Sequence, residues 1–216
     1  MSDSFASPAP WHVTERLASL AGESTANGLR VWGIAVFYLI HVLNYRGLSL
    51  GSIELPRVEG IDESFHAMAT ALATAWLMLA AAVLLAIKNR VFPPVLKFVS
   101  TGADLVLLTS VLSLADGPRS PVLLVYFLVI ALAGTRLSRR LVLFATGGSV
   151  LGYLFLLGQA RLYRPALEVP PHWAITTVAA LVLCGVVVTQ ILVRARRAAD
   201  AYSALRHSEP PAGDDA

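Results

Sequence analysis

An aspartate inside a long apolar stretch constrains this chain more than any other feature. Asp104 lies within residues 97–158, KFVSTGADLVLLTSVLSLADGPRSPVLLVYFLVIALAGTRLSRRLVLFATGGSVLGYLFLLG, where three apolar runs are joined by a tight ADGPRSP turn and a short TRLSRR turn. Runs of this length and apolarity belong in a bilayer. A carboxylate there costs at least about 2.5 kcal/mol. The fold must therefore bring a compensating group to Asp104, the only acid within the apolar runs.

Composition sets the class. The chain is 216 residues long, 56% hydrophobic and 14% charged, where a soluble domain carries about 25% charged residues. Apolar runs take up nearly all of it, which leaves no room for a soluble catalytic domain and predicts no enzyme. The pI of about 9.3 reflects Lys and Arg in short loops, as membrane orientation requires, and points away from nucleic acid. The lone Cys184 excludes an intramolecular disulfide and any multi-cysteine metal site, and reads as a small core residue. The sequence holds no Gly-rich phosphate loop, no CxxC, no HExxH and no nucleophile motif. A polar lead without a basic n-region and h-region predicts no cleavable signal peptide, so the first run serves as a signal anchor.

The expected architecture is all-α: a polytopic integral membrane protein with six transmembrane helices in a bundle. Residues 1–28 form a cytoplasmic segment, read either as an interfacial helix bearing Trp11, Leu17 and Leu20 or as a loose tail. Residues 29–194 form the bundle, with spans at about 30–45, 66–87, 95–114, 121–134, 139–158 and 172–193. Residues 195–216 form a cytoplasmic helical extension and a disordered tail. A long loop carrying Glu54, Glu59, Asp62 and Glu63 joins the first two spans, and the turn with Pro93 and Pro94 ends the second. Ala69 with Ala73, Ala71 with Ala75, and Gly148 with Gly152 are small residues four apart, suited to close packing within the bundle. Of the 17 Lys and Arg residues, 12 fall on the side that holds both termini. That bias puts both termini in the cytoplasm and the protein in the cell (inner) membrane.

Asp104 heads the candidate site. It lies seven residues past Lys97, roughly 10 Å below the cytoplasmic face. Tyr38, Thr146 and Ser149, with Thr189, come to a similar depth and complete a ligand or proton site, or else a hydrogen-bonded clamp between helices. On the outer side His41, His66 and His172 form a subordinate metal or haem candidate. No resident cofactor is otherwise implied. The last span carries Val188, Leu192, Ala195, Ala199 and Tyr202 at heptad-like spacing, a seam for a homodimer that continues out of the membrane.

The central stretch resembles the membrane-embedded sensor region of bacterial multi-pass sensor histidine kinases and six-span adenylate/guanylate cyclases. The matching features are Asp104 early in the third span, DGPRSP with Gly117, Ser120 and Pro121, and YFLVIALAGTRLSRR with Tyr126, Arg136, Ser138 and Arg139. They continue with GYLFLL containing Tyr153, then a helix passing into the cytoplasm. The likeness covers roughly residues 28–205. The phosphoacceptor-histidine box and the cyclase metal aspartates of those proteins have no counterpart here; His207 lies outside any such motif. The resemblance implies a sensory or regulatory module responding to a membrane-borne or lipid-soluble signal, with a kinase or cyclase partner in the cytoplasm supplying the output. The alternatives are a small proton-coupled transporter using Asp104 and a haem- or metal-binding electron carrier using the outer histidines.

Overall fold

The structure is a computed structural model that describes residues 10–50, 53–55, 63–89, 93 and 95–208; side chains of 10–21, 48–50, 53–55 and 202–208 are not described. The order is α1 (Pro10–Arg46), a hairpin of β1 (Leu48–Leu50) and β2 (Ile53–Leu55), α2 (Glu63–Lys88), α3 (Leu96–Leu114), α4 (Leu124–Thr135), α5 (Arg139–Tyr163) and α6 (Pro171–Ser208). Five of these helices contain segments long and apolar enough to cross a membrane: Gly22–Arg46, Glu63–Lys88, Leu96–Leu114, Arg139–Tyr163 and Pro171–Ala201. The chain is a multi-pass membrane protein.

Local sequence explains the element ends. Pro121 lacks an amide proton and opens a single 3-10 turn, whose Val122 N–H is capped by the Ser120 hydroxyl at 3.2 Å. The α-helix that follows, α4, has 12 residues. At 1.5 Å per residue it is roughly 18 Å long, against about 30 Å of bilayer hydrocarbon. The fourth expected span is therefore a short helix, and it is packed against α3, α5, α6 and α1. Leu137 in the α4–α5 turn has φ 51°, a left-handed conformation that non-glycine residues rarely adopt. At the opposite end of the bundle, the Arg164 guanidinium donates to the carbonyls of Ser113 and Ala115, both at 3.0 Å. It thereby satisfies carbonyls that the C-terminus of α3 leaves without helical partners.

The lead and the first span are one helix. α1 begins at Pro10 and runs unbroken through residue 28 to Arg46, because no glycine pair or proline interrupts it. Trp11, Leu17 and Leu20 fall outside the described side chains. The hairpin pairs Leu48 with Leu55, Ser49 with Glu54 and Leu50 with Ile53; the remainder of that loop and the tail after Ser208 fall outside the described residues.

The core lies between α3, α4, α5 and α6, around Leu108, Leu112, Tyr126, Ile130, Leu141, Tyr153, Leu156 and Leu181. Small residues allow the close approach. A Cβ at Gly152 would lie 2.6 Å from the Tyr126 hydroxyl and 2.7 Å from the Thr109 hydroxyl, and one at Gly148 would lie 2.5 Å from Leu105 Cδ1. The Gly148–Gly152 pair therefore serves packing within the chain, as the sequence predicts. A Cβ at Gly22 would meet the Thr135 carbonyl oxygen at 2.8 Å, so α1 lies directly against the end of α4. Outward-facing Leu, Ile and Val side chains remain exposed over much of the bundle, among them Val106, Leu128, Leu151, Ile175 and Ile191, the apolar surface that lipid covers. Cys184 is half-buried beside the core.

Candidate functional site

One stripe of α1 carries Glu23, Ala26, Asn27, Arg30 and Ile34, all buried and spaced at helical intervals. That stripe delivers a cation to Asp104. Arg30 Nε donates to Asp104 Oδ1 and Arg30 Nη2 donates to Oδ2, each at 2.7 Å. This is the paired fork geometry that makes arginine–carboxylate bridges strong. Trp76 of α2 donates its indole N–H to the same Oδ1 at 2.8 Å. Arg30 Nη1 donates to Asn27 Oδ1 at 2.6 Å, and Asn27 Nδ2 donates to the Ala80 carbonyl at 3.1 Å. Three helices are thus tied at one point. The Arg30 and Asp104 side chains are 4% and 13% exposed, and burial that complete requires this degree of hydrogen-bond satisfaction.

A second ion pair lies beside the first. Arg136, just past α4, contacts Glu23 Oε1 at 2.8 Å through Nη2. Arg136 Nη1 donates to the Thr101 hydroxyl at 2.5 Å and to the Lys97 carbonyl at 3.2 Å. The Glu23 contact is short but off the hydrogen-bond direction, and neither Glu23 Oε1 nor Arg136 Nε has a hydrogen-bond partner among the described residues. Two guanidinium groups and two carboxylates therefore share one buried, formally neutral cluster joining α1, α2, α3 and the end of α4. A cavity of about 10 Å³, lined by Arg30, Thr101, Asp104 and Arg136 among others, has room for about one water.

The expected neighbours of Asp104 are elsewhere. Tyr38 meets the Thr70 hydroxyl at 3.1 Å, toward the opposite end of α1 and α2. Thr146 donates to the Val142 carbonyl at 2.8 Å and packs against Gly185 at the α5–α6 contact. Thr189 donates to the Gly185 carbonyl at 2.7 Å. Ser149 is fully buried and its hydroxyl has no hydrogen-bond partner among the described residues. The partner that Asp104 requires is Arg30, a residue whose place in the sequence is that of a loop cation at the start of the first span. α1 is already packed in the bundle at Gly22 and Glu23, where it meets Thr135 and Arg136. Arg30 therefore lies within the bundle and stands, in place of Tyr38, level with Asp104.

Of the histidines, two come together. His41 Nε2 and His66 Nδ1 are 3.0 Å apart. His172 instead lies against Trp173 at the start of α6, a helix that packs chiefly on α5 and α4. Among the described residues no group of three His, Cys, Asp or Glu side chains gathers into a metal site.

The seam on the last span is partly occupied. Val188 packs against Gly134 and Leu192 is 4% exposed, so both face the chain's own bundle. Ala195 and Ala199 are exposed beyond it, and the Tyr202 side chain lies outside the described residues. Arg196 of α6 donates to the Leu137 carbonyl. The α4–α5 turn therefore holds the buried cluster through Arg136 and the emerging end of α6 through Leu137.

No family, no curated protein and no solved structure matches the chain.

Proposed function

We propose that the chain is a membrane-embedded sensory or regulatory module of the cell inner membrane, with both termini in the cytoplasm and α6 as its output. The observation that carries this reading is the shared α4–α5 turn. Arg136 binds Glu23 and Thr101 in the charge cluster, and one residue later the Leu137 carbonyl accepts from Arg196 on the exit helix. A rearrangement of the ion pairs is passed by that turn to α6. From Leu192, its last buried position among the described residues, α6 continues to Ser208, roughly 24 Å of helix at 1.5 Å per residue. Two ion pairs that lie side by side, with Arg30, Asp104 and Arg136 lining one cavity, can exchange partners, and a bistable element of this kind is what a switch requires. The signal is lipid-soluble or membrane-borne, and a separate cytoplasmic kinase or cyclase is the partner.

The orientation rests on the basic residues. Setting aside Arg30 and Arg136, which are neutralised in the cluster, 10 Lys and Arg remain on the side of the termini against 5 on the other. Asp104 as the carrier in a proton-coupled transporter is less well supported, because both of its oxygens are engaged by Arg30 and Trp76.

The test is disulfide crosslinking of single cysteines from Leu192 to Tyr202 in native membranes, in the wild type and in Asp104→Asn. A period near 3.5 along α6 that shifts in Asp104→Asn is expected. Uniform crosslinking, or a pattern indifferent to Asp104, would sink the coupling.

A further inference from the structure

The end of the bundle remote from the charge cluster holds an arrangement that signalling through α6 does not use. His41 of α1 and His66 of α2 face each other with ring nitrogens 3.0 Å apart. The rings are held by aromatic neighbours. Tyr45 lies flat on His66 with centroids 4.1 Å apart and planes 1° apart. Phe65 and Tyr38 flank His41 at centroid distances of 5.7 and 6.0 Å. The Thr70 hydroxyl donates to the His66 carbonyl at 2.8 Å and meets the Tyr38 hydroxyl, joining α1 and α2 one turn deeper. The antiparallel hairpin β1–β2 lies in the connection between these helices. Both histidines are half-buried, shielded at the sides without being sealed.

We propose that His41 and His66 bind a divalent late first-row transition ion, zinc or copper(II), between His41 Nε2 and His66 Nδ1. The chemistry follows from the spacing. Two nitrogens on a tetrahedral ion, each about 2.0–2.1 Å from the metal, lie about 3.3 Å apart. With ring centroids 5.2 Å apart and planes 16° apart, the two nitrogens point almost straight at each other, so on binding the pair opens by about 0.3 Å and each ring swings by roughly 35° to bring both lone pairs onto the ion. Imidazole is a preferred ligand of zinc and copper, and affinity along the divalent series peaks at copper. In the metal-free pair one ring donates its N–H to the other. On binding, that proton moves to the far nitrogen of its own ring, so that both facing nitrogens present lone pairs and no net proton is released. Water fills the remaining coordination positions. The same spacing disfavours a haem between the rings, since axial nitrogens on opposite sides of one iron would stand about 4 Å apart, twice a metal–nitrogen bond, with a porphyrin between them. The proposal stands independently of signalling through α6.

The full-length protein in nanodiscs, stripped with chelator, is titrated with Zn²⁺ by calorimetry and with Cu²⁺ by electron paramagnetic resonance. One Zn²⁺ per chain is expected, with affinity lowered at least tenfold in His41→Gln and in His66→Gln and unchanged in His172→Gln. Glutamine retains a hydrogen-bonding group across the helix pair, and thermal unfolding of the apo variants checks that they fold. The Cu²⁺ spectrum should carry hyperfine coupling from two imidazole nitrogens in the wild type and from fewer in either single variant. Absence of saturable Zn²⁺ binding, binding that survives the double variant, or a copper signal unaffected by either substitution overturns the proposal.

Discussion

Arg30 and Asp104 are 74 positions apart in the chain and meet through two hydrogen bonds of 2.7 Å, one to each carboxylate oxygen. Neither charge is tolerable at this depth alone, so the pair fixes how α1 stands against α3. Removing one partner leaves the other buried and unpaired. Arg30→Ala or Asp104→Ala should each lower stability by about 3–5 kcal/mol, measured by unfolding in detergent micelles. The double variant Arg30→Met/Asp104→Leu should lose less than either single change. Additive losses would mean that the two residues do not act as a pair.

Trp76 offers a narrower test. Trp76→Phe keeps an aromatic ring but removes the donor to Asp104 Oδ1. A hydrogen bond to a charged group contributes about 1.5–3 kcal/mol, and a destabilisation of that order is expected. In an Asp104→Asn background the same substitution should cost measurably less, because the acceptor no longer carries a full charge.

The glycines separate by what their missing side chains would strike. Gly22→Ala meets the Thr135 backbone oxygen, and Gly152→Ala meets the Tyr126 and Thr109 hydroxyls. Each should destabilise by about 1–3 kcal/mol through overpacking. At Gly33 and Gly147 a methyl group would enter open space, and Ala there should be neutral or stabilising by up to about 1 kcal/mol through helix propensity. Equal losses at all four positions would contradict the close approach of α1 to α4 and of α5 to α3.

Orientation is checked with reporter fusions. Fusions after Ala216 and within the loop at residues 51–60 should report opposite sides, the first cytoplasmic. The same result on both sides would mean that the short α4 does not complete a crossing.

Apolarity is legible along this chain, whereas polar residues placed inside apolar helices are not. α3 begins at Leu96 and ends at Leu114, one residue from the expected start and at the expected end, because the proline turn before it and the ADGPRSP turn after it both stop a helix. α5 runs on past Gly158 to Tyr163, since declining hydropathy marks a membrane boundary while backbone hydrogen bonding continues until Pro165. Arg30 escapes notice as a partner because a basic residue at the edge of an apolar run has the appearance of a loop anchor. The spacing of Glu23, Asn27 and Arg30, four and then three residues, is the signal that reveals it: a polar stripe on one helical face. Arg136 offers no such signal, because its burial depends on Gly22 admitting the end of α4.

The separation of 74 residues between Arg30 and Asp104 also sets an order of events during synthesis. At about 5–20 residues per second, α1 leaves the ribosome roughly 4–15 s before its counter-charge. In that interval its guanidinium would lie in the bilayer without a counter-charge, at a cost of up to about 2.5–3.5 kcal/mol, the value for mid-bilayer. A nascent chain halted before Lys97 should therefore hold α1 displaced toward the water, and one extended past Leu114 should draw it inward. A cysteine at Ser24, probed by a membrane-impermeant maleimide on stalled chains of increasing length, would record that late movement as a loss of labelling.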